Sequence, residues 1–239
     1  MLIKFFYILL SAKLLLVNSF LFQPVINPIL SVSQLVLAKT GLELLQDSKL
    51  DANTTRKMIH ITCAPTFLSS LNLYNDYNPK LWATSVPFLA TLFLIYKSDN
   101  LSKIISRSGD TKEIFKGPLI YTLMLTLFTY YYWINNPIGM IAMIQLSVGD
   151  GFADLAGRKF GKNKWFFNSK KSIEGTFGFF ITSFLFTEIF INNLYHFNYG
   201  IEKIFIISLV SSLIETLPKI DDNISIPFSV LFVDKILNN

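Results

Sequence analysis

The amino-acid sequence predicts an all-α protein: a polytopic, integral membrane helical bundle of about seven spanning helices behind an N-terminal leader. Three observations carry that expectation. The 239-residue chain is 51% hydrophobic and only 15% charged, where a soluble domain carries about a quarter charged residues. Its apolar residues fall in successive blocks, most of them near the ~17–25 residues that a spanning helix needs. Its Lys and Arg residues are spread unevenly over the segments between those blocks, as the positive-inside rule describes.

In chain order, residues 1–22 are apolar but carry Lys4 and Lys13, and read as a signal or targeting segment or as a first spanning helix. Ser19 before Phe20 resembles the cleavage junction of leaders that direct proteins to complex plastids. Residues 23–239 read as one membrane-embedded domain. Its apolar blocks are Ile29 to Leu45, Met58 to Leu73, Leu81 to Tyr96, Pro118 to Ile134, Ile138 to Val148, Thr176 to Leu194, Ile204 to Leu217 and Ile224 to Leu237. The block from Ile138 to Val148 is short, but a helix continuing through Gly149–Arg158 reaches full length. No strand alternation, heptad or internal repeat stands out. The single cysteine, Cys63, excludes an intramolecular disulfide and reads as a small buried apolar residue.

If every block from Met58 onward spans once, one side of the membrane receives the segments around Arg56, Lys97–Lys116, Asp150–Glu174 and Pro218–Asn223. Those segments hold about 14 of the 21 Lys and Arg residues, and the opposite side holds only Lys80 and Lys203. The same parity puts every polar motif on one face, as a shared site requires. The net charge of +5 comes without a basic stripe interleaved with aromatics, so it points to anionic headgroups and nucleotide phosphates, not to nucleic acid.

The densest chemistry lies in Gly149-Asp150-Gly151-Phe152-Ala153-Asp154-Leu155-Ala156-Gly157-Arg158-Lys159-Phe160-Gly161. Charges this dense beside apolar segments are costly unless they bind ions or perform chemistry. Asp150 and Asp154 are four apart, one helical turn, and suit a hard divalent cation. Gly157 and Gly161 allow a close approach of backbone to an anion, and Arg158, with Lys159 beside it, offers a planar fork for phosphate. Lys170, Lys171 and Ser172 add two cations and a hydroxyl before the next helix start. Glu174 reads either as a capping acid or as a metal-side ligand. Asp221-Asp222-Asn223, with Glu215 shortly before, reads as a turn or as a completion of the site. Arg56-Lys57-Met58-Ile59-His60 places basic residues and a polar ring at a helix start, and Asp110 closes a polar loop; Arg56, Lys57, His60 and Asp110 join Glu174, Glu215 and Asn223 as possible further site residues. The spacing is not that of a Walker A loop.

These motifs, taken in order from Arg56-Lys57-Met58-Ile59-His60 through Ser108-Gly109-Asp110, Gly117-Pro118, Pro137-Ile138-Gly139, the Asp150 run, Lys171-Ser172 and Asp221-Asp222-Asn223, resemble the phytol kinase and farnesol kinase branch of the polyprenol kinase family. The resemblance covers roughly residues 55–237. Glu174-Gly175-Thr176 after Lys171-Ser172 is closer to dolichol kinases and phosphatidate cytidylyltransferases. What the resemblance implies is phosphoryl transfer from a nucleoside triphosphate, usually CTP with UTP or ATP as alternatives, to a long-chain isoprenoid alcohol. The family's plant and algal members sit in plastid membranes and feed tocopherol synthesis; the endoplasmic reticulum is the alternative location. Under this reading Asp150 and Asp154 hold Mg²⁺ or another divalent cation, and Arg158, Lys170 and Lys171 neutralise phosphate. Asp222, or its neighbour Asp221, orients the acceptor. A cytidylyltransferase that makes a CDP-activated lipid is the first alternative. A transporter ranks lower, because mid-block charges are few, chiefly Glu188.

Overall fold

The computed structural model describes residues 23–46, 52–74, 78–97, 110–218 and 221–238. The predicted leader, and Ser108-Gly109, lie outside them. Ten α-helices occur among the described residues: α1 (Gln23–Gln46), α2 (Ala52–Ser70), α3 (Pro79–Tyr96), α4 (Thr111–Lys116), α5 (Pro118–Tyr132), α6 (Pro137–Ile144), α7 (Asp150–Phe160), α8 (Ile173–Glu188), α9 (Ile201–Ile214) and α10 (Asp222–Leu237).

Local chemistry sets the helix starts. Pro79, Pro118 and Pro137 open α3, α5 and α6, where the missing N–H removes nothing from the helix. The side chains of Asp110, Asn136, Ser172 and Asp221 accept backbone N–H groups of α4, α6, α8 and α10, which satisfies donors that each helix leaves unpaired. A π-turn at Gln145–Gly149 joins α6 to α7 without interrupting the helical path.

That joined α6–α7 element is the axis of the bundle. In the most apolar 18-residue window of Pro137–Phe160, 83% of the residues are buried by the rest of the chain, against 22–28% in the corresponding windows of Val25–Leu44, Pro79–Tyr96 and Ile173–Leu194. Helices α2, α5, α8 and α10 pack around the axis, α9 packs on α8 and α10, and α1 and α3 lie outside. Ile141, Ile144, Leu146, Phe179, Ile207 and Ile226 fill the middle. The outward surface is itself apolar, with Phe88, Leu92, Phe177, Leu185, Phe228 and Phe232 exposed. Contact at the axis depends on Gly151, where a Cβ would lie 2.1 Å from Ile61 Cγ1 and would push α2 off α7.

These four stretches are the ones, among the described residues, that are long and apolar enough to cross a membrane by length and composition. Helices α5, α9 and α10 have 15, 14 and 16 residues. At 1.5 Å per residue they extend roughly 21–24 Å, short of the ~30 Å hydrocarbon core. One element was not expected from the sequence: a two-stranded antiparallel hairpin, β1 (Lys164–Trp165) and β2 (Asn168–Ser172), which connects α7 to α8.

Candidate active site

Four segments distant in sequence meet at the start of α7. The π-turn and the first turn of α7 supply Asp150; the N-terminal half of α2 supplies Lys57 and His60; β2 supplies Lys171; the α9–α10 connection supplies Glu215 and Asp222. Lys57 Nζ donates to Asp150 Oδ2 at 2.7 Å, and both side chains are about nine-tenths buried. His60 Nε2 lies 2.9 Å from the Leu146 carbonyl and 3.3 Å from Asp150 Oδ2. A carbonyl only accepts, so Nε2 carries the proton and donates to it. Tyr121 fixes this ring from the other side: its hydroxyl donates to the His60 carbonyl at 3.1 Å and its ring centroid is 4.2 Å from that of His60.

Lys171 bridges the two other acids. Its ammonium donates to Asp222 Oδ2 at 2.8 Å and also to Glu215 Oε1. One carboxylate oxygen each of Asp150, Glu215 and Asp222 lies within 4.8 Å of the other two. Two ammonium groups therefore serve three carboxyls in a largely buried place, and burial pushes the Glu215 carboxyl up to about 7, so the third charge forms fully only when a further cation joins the group. Burial, then the nearby Asp150 carboxylate, raises the Asp222 pKa above its ordinary value. Burial would lower the Lys171 pKa, but Glu215, Asp150 and Asp222 outweigh it and raise it, so Lys171 stays charged. Three converging carboxyl oxygens are what a hard divalent cation needs from a protein, and the residues present fit such an ion.

The remaining predicted residues fall into distinct places. Asp154 pairs with Arg158 at 2.6 Å, one turn apart on α7, and is not a member of the three-carboxylate group. Arg158, Lys159 and Lys170 are exposed beside the site. Ser172 is buried and caps α8, its hydroxyl accepting the Gly175 N–H at 3.1 Å. The Ser172 hydroxyl also fills the space beside Gly157 and Gly161: a Cβ at Gly161 would lie 2.6 Å from it. These glycines thus admit the Ser172 side chain and let the α7 end close on β2. Glu174 accepts from the Asn163 backbone N–H and side-chain amide at 3.1 and 2.9 Å, tying the base of the hairpin. Asp221 caps α10 and accepts both the backbone and side-chain N–H of Asn223. Of the adjacent acids, Asp222 is therefore the one that faces Lys171. Asp110 caps α4, and Arg56 runs beside Gly117 at the start of α5.

The sequence offered Lys57 as a possible further site residue at a helix start but gave no hint of its partner, 93 positions away. The Asp154–Arg158 pair did carry a local signal, the i,i+4 spacing of opposite charges on one helix. Tyr121 and the Leu146 carbonyl carried none.

The chain is 32% identical over 210 residues to a probable chloroplastic phytol kinase of Zea mays, covering 80% of this chain and 69% of that protein. It is 31% identical over 205 residues to the chloroplastic phytol kinase 1 of Arabidopsis thaliana, covering 79% and 67%. It is 33% identical over 192 residues to the chloroplastic farnesol kinase of the same plant, covering 74% and 62%. No protein-family model and no solved structure matches it. A kinase that phosphorylates an alcohol is the class that these similarities define. The chain belongs to the phytol kinase and farnesol kinase family.

Proposed function

We propose that this chain is a membrane-embedded kinase that moves the terminal phosphate of CTP to a long-chain isoprenoid alcohol, phytol or a shorter prenol, in a plastid membrane. The observation that carries the reading is the meeting of Asp150, Glu215 and Asp222 with Lys57 and Lys171 at one end of the apolar bundle. The relatives named phytol and farnesol kinase supply the acceptor class. Beyond α1, helices α2, α5, α9 and α10 join α3, α6–α7 and α8 as spans, giving seven, the short α5, α9 and α10 being met by local thinning of the bilayer, with the charged end at one bilayer face.

Phosphoryl transfer is mostly positioning and charge neutralisation. Asp150, Glu215 and Asp222 hold the divalent cation, magnesium in this reading, which would neutralise the donor phosphates when bound. Lys57 keeps Asp150 ionised and aimed. Lys171 turns from its carboxylates toward phosphate, and the exposed Arg158, Lys159 and Lys170 gather the rest of the nucleotide, with Asp154 orienting the Arg158 fork. Asp222 has the most open side chain of the three acids, 27% exposed against 11% for Asp150 and 3% for Glu215. It is the group that an alcohol reaching up from the lipid would meet, and its free oxygen orients the hydroxyl proton. The apolar tail stays between helices or in lipid and needs no charged partner.

Purified protein in lipid nanodiscs, given each prenol or phosphatidate as acceptor and CTP labelled at the α or the γ phosphate, tests this. Label from the γ position in a lipid monophosphate is the expected result. Label from the α position in the lipid, with release of pyrophosphate, would replace the kinase with a cytidylyltransferase.

A further inference from the structure

The hairpin between α7 and α8 is unlike the rest of the charged end. Its turn consists of Phe166 and Phe167, and Phe166 is 96% exposed, more than any other large apolar residue described. The two rings meet edge to face at 4.9 Å, and Trp165 lies 5.4 Å from Phe167. Phe160 at the end of α7 adds a further exposed ring, with Lys159 Nζ 5.2 Å from its centroid. The strands and the residue leading into them carry Lys162, Lys164 and Lys170, all exposed. The base is held firmly by contrast: Asn163 is tied to Glu174, the Ile173 N–H donates to the Asn163 carbonyl, and Trp165 Nε1 donates to Thr176 Oγ1 at 2.9 Å. A rigid, lysine-bearing stem that presents bare aromatics would be an unfavourable way to face water. It matches a bilayer interface, where aromatic rings sit at the headgroup level and lysines meet anionic lipid.

We infer that the Phe166–Phe167 tip inserts into the headgroup region of the membrane, with Lys162 and Lys164 against anionic headgroups, and that this insertion positions the active site. The link runs through β2: Asn168 donates to the Thr216 carbonyl at 2.9 Å, next to Glu215, and Lys171 three residues on bridges Glu215 and Asp222. A hairpin fixed at a set depth thereby fixes the depth of Lys171, where a lipid-borne hydroxyl must meet a water-borne nucleotide. The inference rests on the membrane placement proposed above.

The test uses the full chain with Cys63→Ala and a single spin label, at Phe166→Cys or at Phe93→Cys on the exposed face of α3, in vesicles of phosphatidylcholine with and without phosphatidylglycerol. The expected result at position 166 is broadening by oxygen and loss of broadening by a water-soluble nickel chelate, more completely with phosphatidylglycerol. Lys162→Gln with Lys164→Gln removes the part that depends on phosphatidylglycerol. A label open to the chelate at 166 but protected at 93 overturns the inference and leaves the membrane placement standing. Chelate access at both positions overturns both. Protection of 166 by CTP instead of by lipid assigns the tip to nucleotide binding and overturns the inference as well.

Discussion

Glu215→Gln separates the three-carboxylate site from the Asp150–Asp154 pair that sequence spacing suggests. The substitution keeps shape and removes one ligand charge. Lys171 retains Asp222 at 2.8 Å, so the α9–α10 connection keeps its tie to β2 and the fold survives. What is lost is one charge-assisted interaction with a bound cation, of order 1.5–3 kcal/mol. That equals a rise of roughly 10- to 150-fold in the magnesium concentration needed for half-maximal rate. Asp154→Asn breaks a pair whose side chains are 28% and 38% exposed. Such a pair is worth at most about 1 kcal/mol, which is a shift of no more than about five-fold. The assay is initial rate in nanodiscs against magnesium concentration, with Mn²⁺ binding followed by electron paramagnetic resonance as a readout independent of turnover. A tenfold or larger loss of metal affinity in Asp154→Asn, beside a near-normal Glu215→Gln, would refute the assignment.

Other perturbations follow from the same geometry. Lys57→Met leaves Asp150 buried without its counter-charge and should cost about 3–5 kcal/mol of stability; adding Asp150→Asn should recover the thermal midpoint but not activity, and failure to recover it would mean that Lys57 packs instead of pairs. Without divalent ions, the raised Asp222 carboxyl favours the fold while protonated. Its contribution is full below the ordinary value of 3.8 and is lost as pH rises through the raised value. Magnesium binds the ionised forms of Asp222 and of Glu215, which burial pushes up to about 7, so the thermal shift it produces should grow as the pH rises toward 7, and a pH-independent shift counts against both as ligands. Gly151→Ala drives a methyl into Ile61 and should destabilise by about 1–3 kcal/mol, with Ile61→Ala restoring part of the loss in unfolding measurements.

The helical blocks were legible because they are local. The apolar blocks announce themselves within a few residues, and Pro118 marked the start of α5; the caps made by Asp110, Ser172 and Asp221 were read instead as loop, phosphate-side and turn residues. The positive-charge asymmetry also placed Asp150, Lys171 and Asp222 at one end, and the structure brings those three together. Partner choice was not legible. Lys57, read from its neighbourhood, is an interfacial lysine, and only tertiary packing brings it to Asp150. Helical spacing put Asp154 on the same face as Asp150, yet Arg158 one turn later takes Asp154. The hairpin escaped because its strands have two and five residues, too few to show alternation. Ser172 read as an open hydroxyl, whereas it is buried as a cap among glycines.

The π-turn at Gln145–Gly149 is held in the apolar centre by a buried amide: Gln145 Nε2 donates to Ser208 Oγ at 2.8 Å and to Thr187 Oγ1 at 3.2 Å. A wide turn takes up an additional residue, and each residue of an α-helix advances about 100° around the axis. Everything beyond the turn is therefore rotated relative to everything before it. Deleting a single residue there would restore uniform winding and keep every motif in the chain, but it would aim the Asp150 carboxylate a quarter-revolution away from Lys57. This irregularity aims the charged end of the bundle, and smoothing it would break the Lys57–Asp150 pairing without changing either side chain.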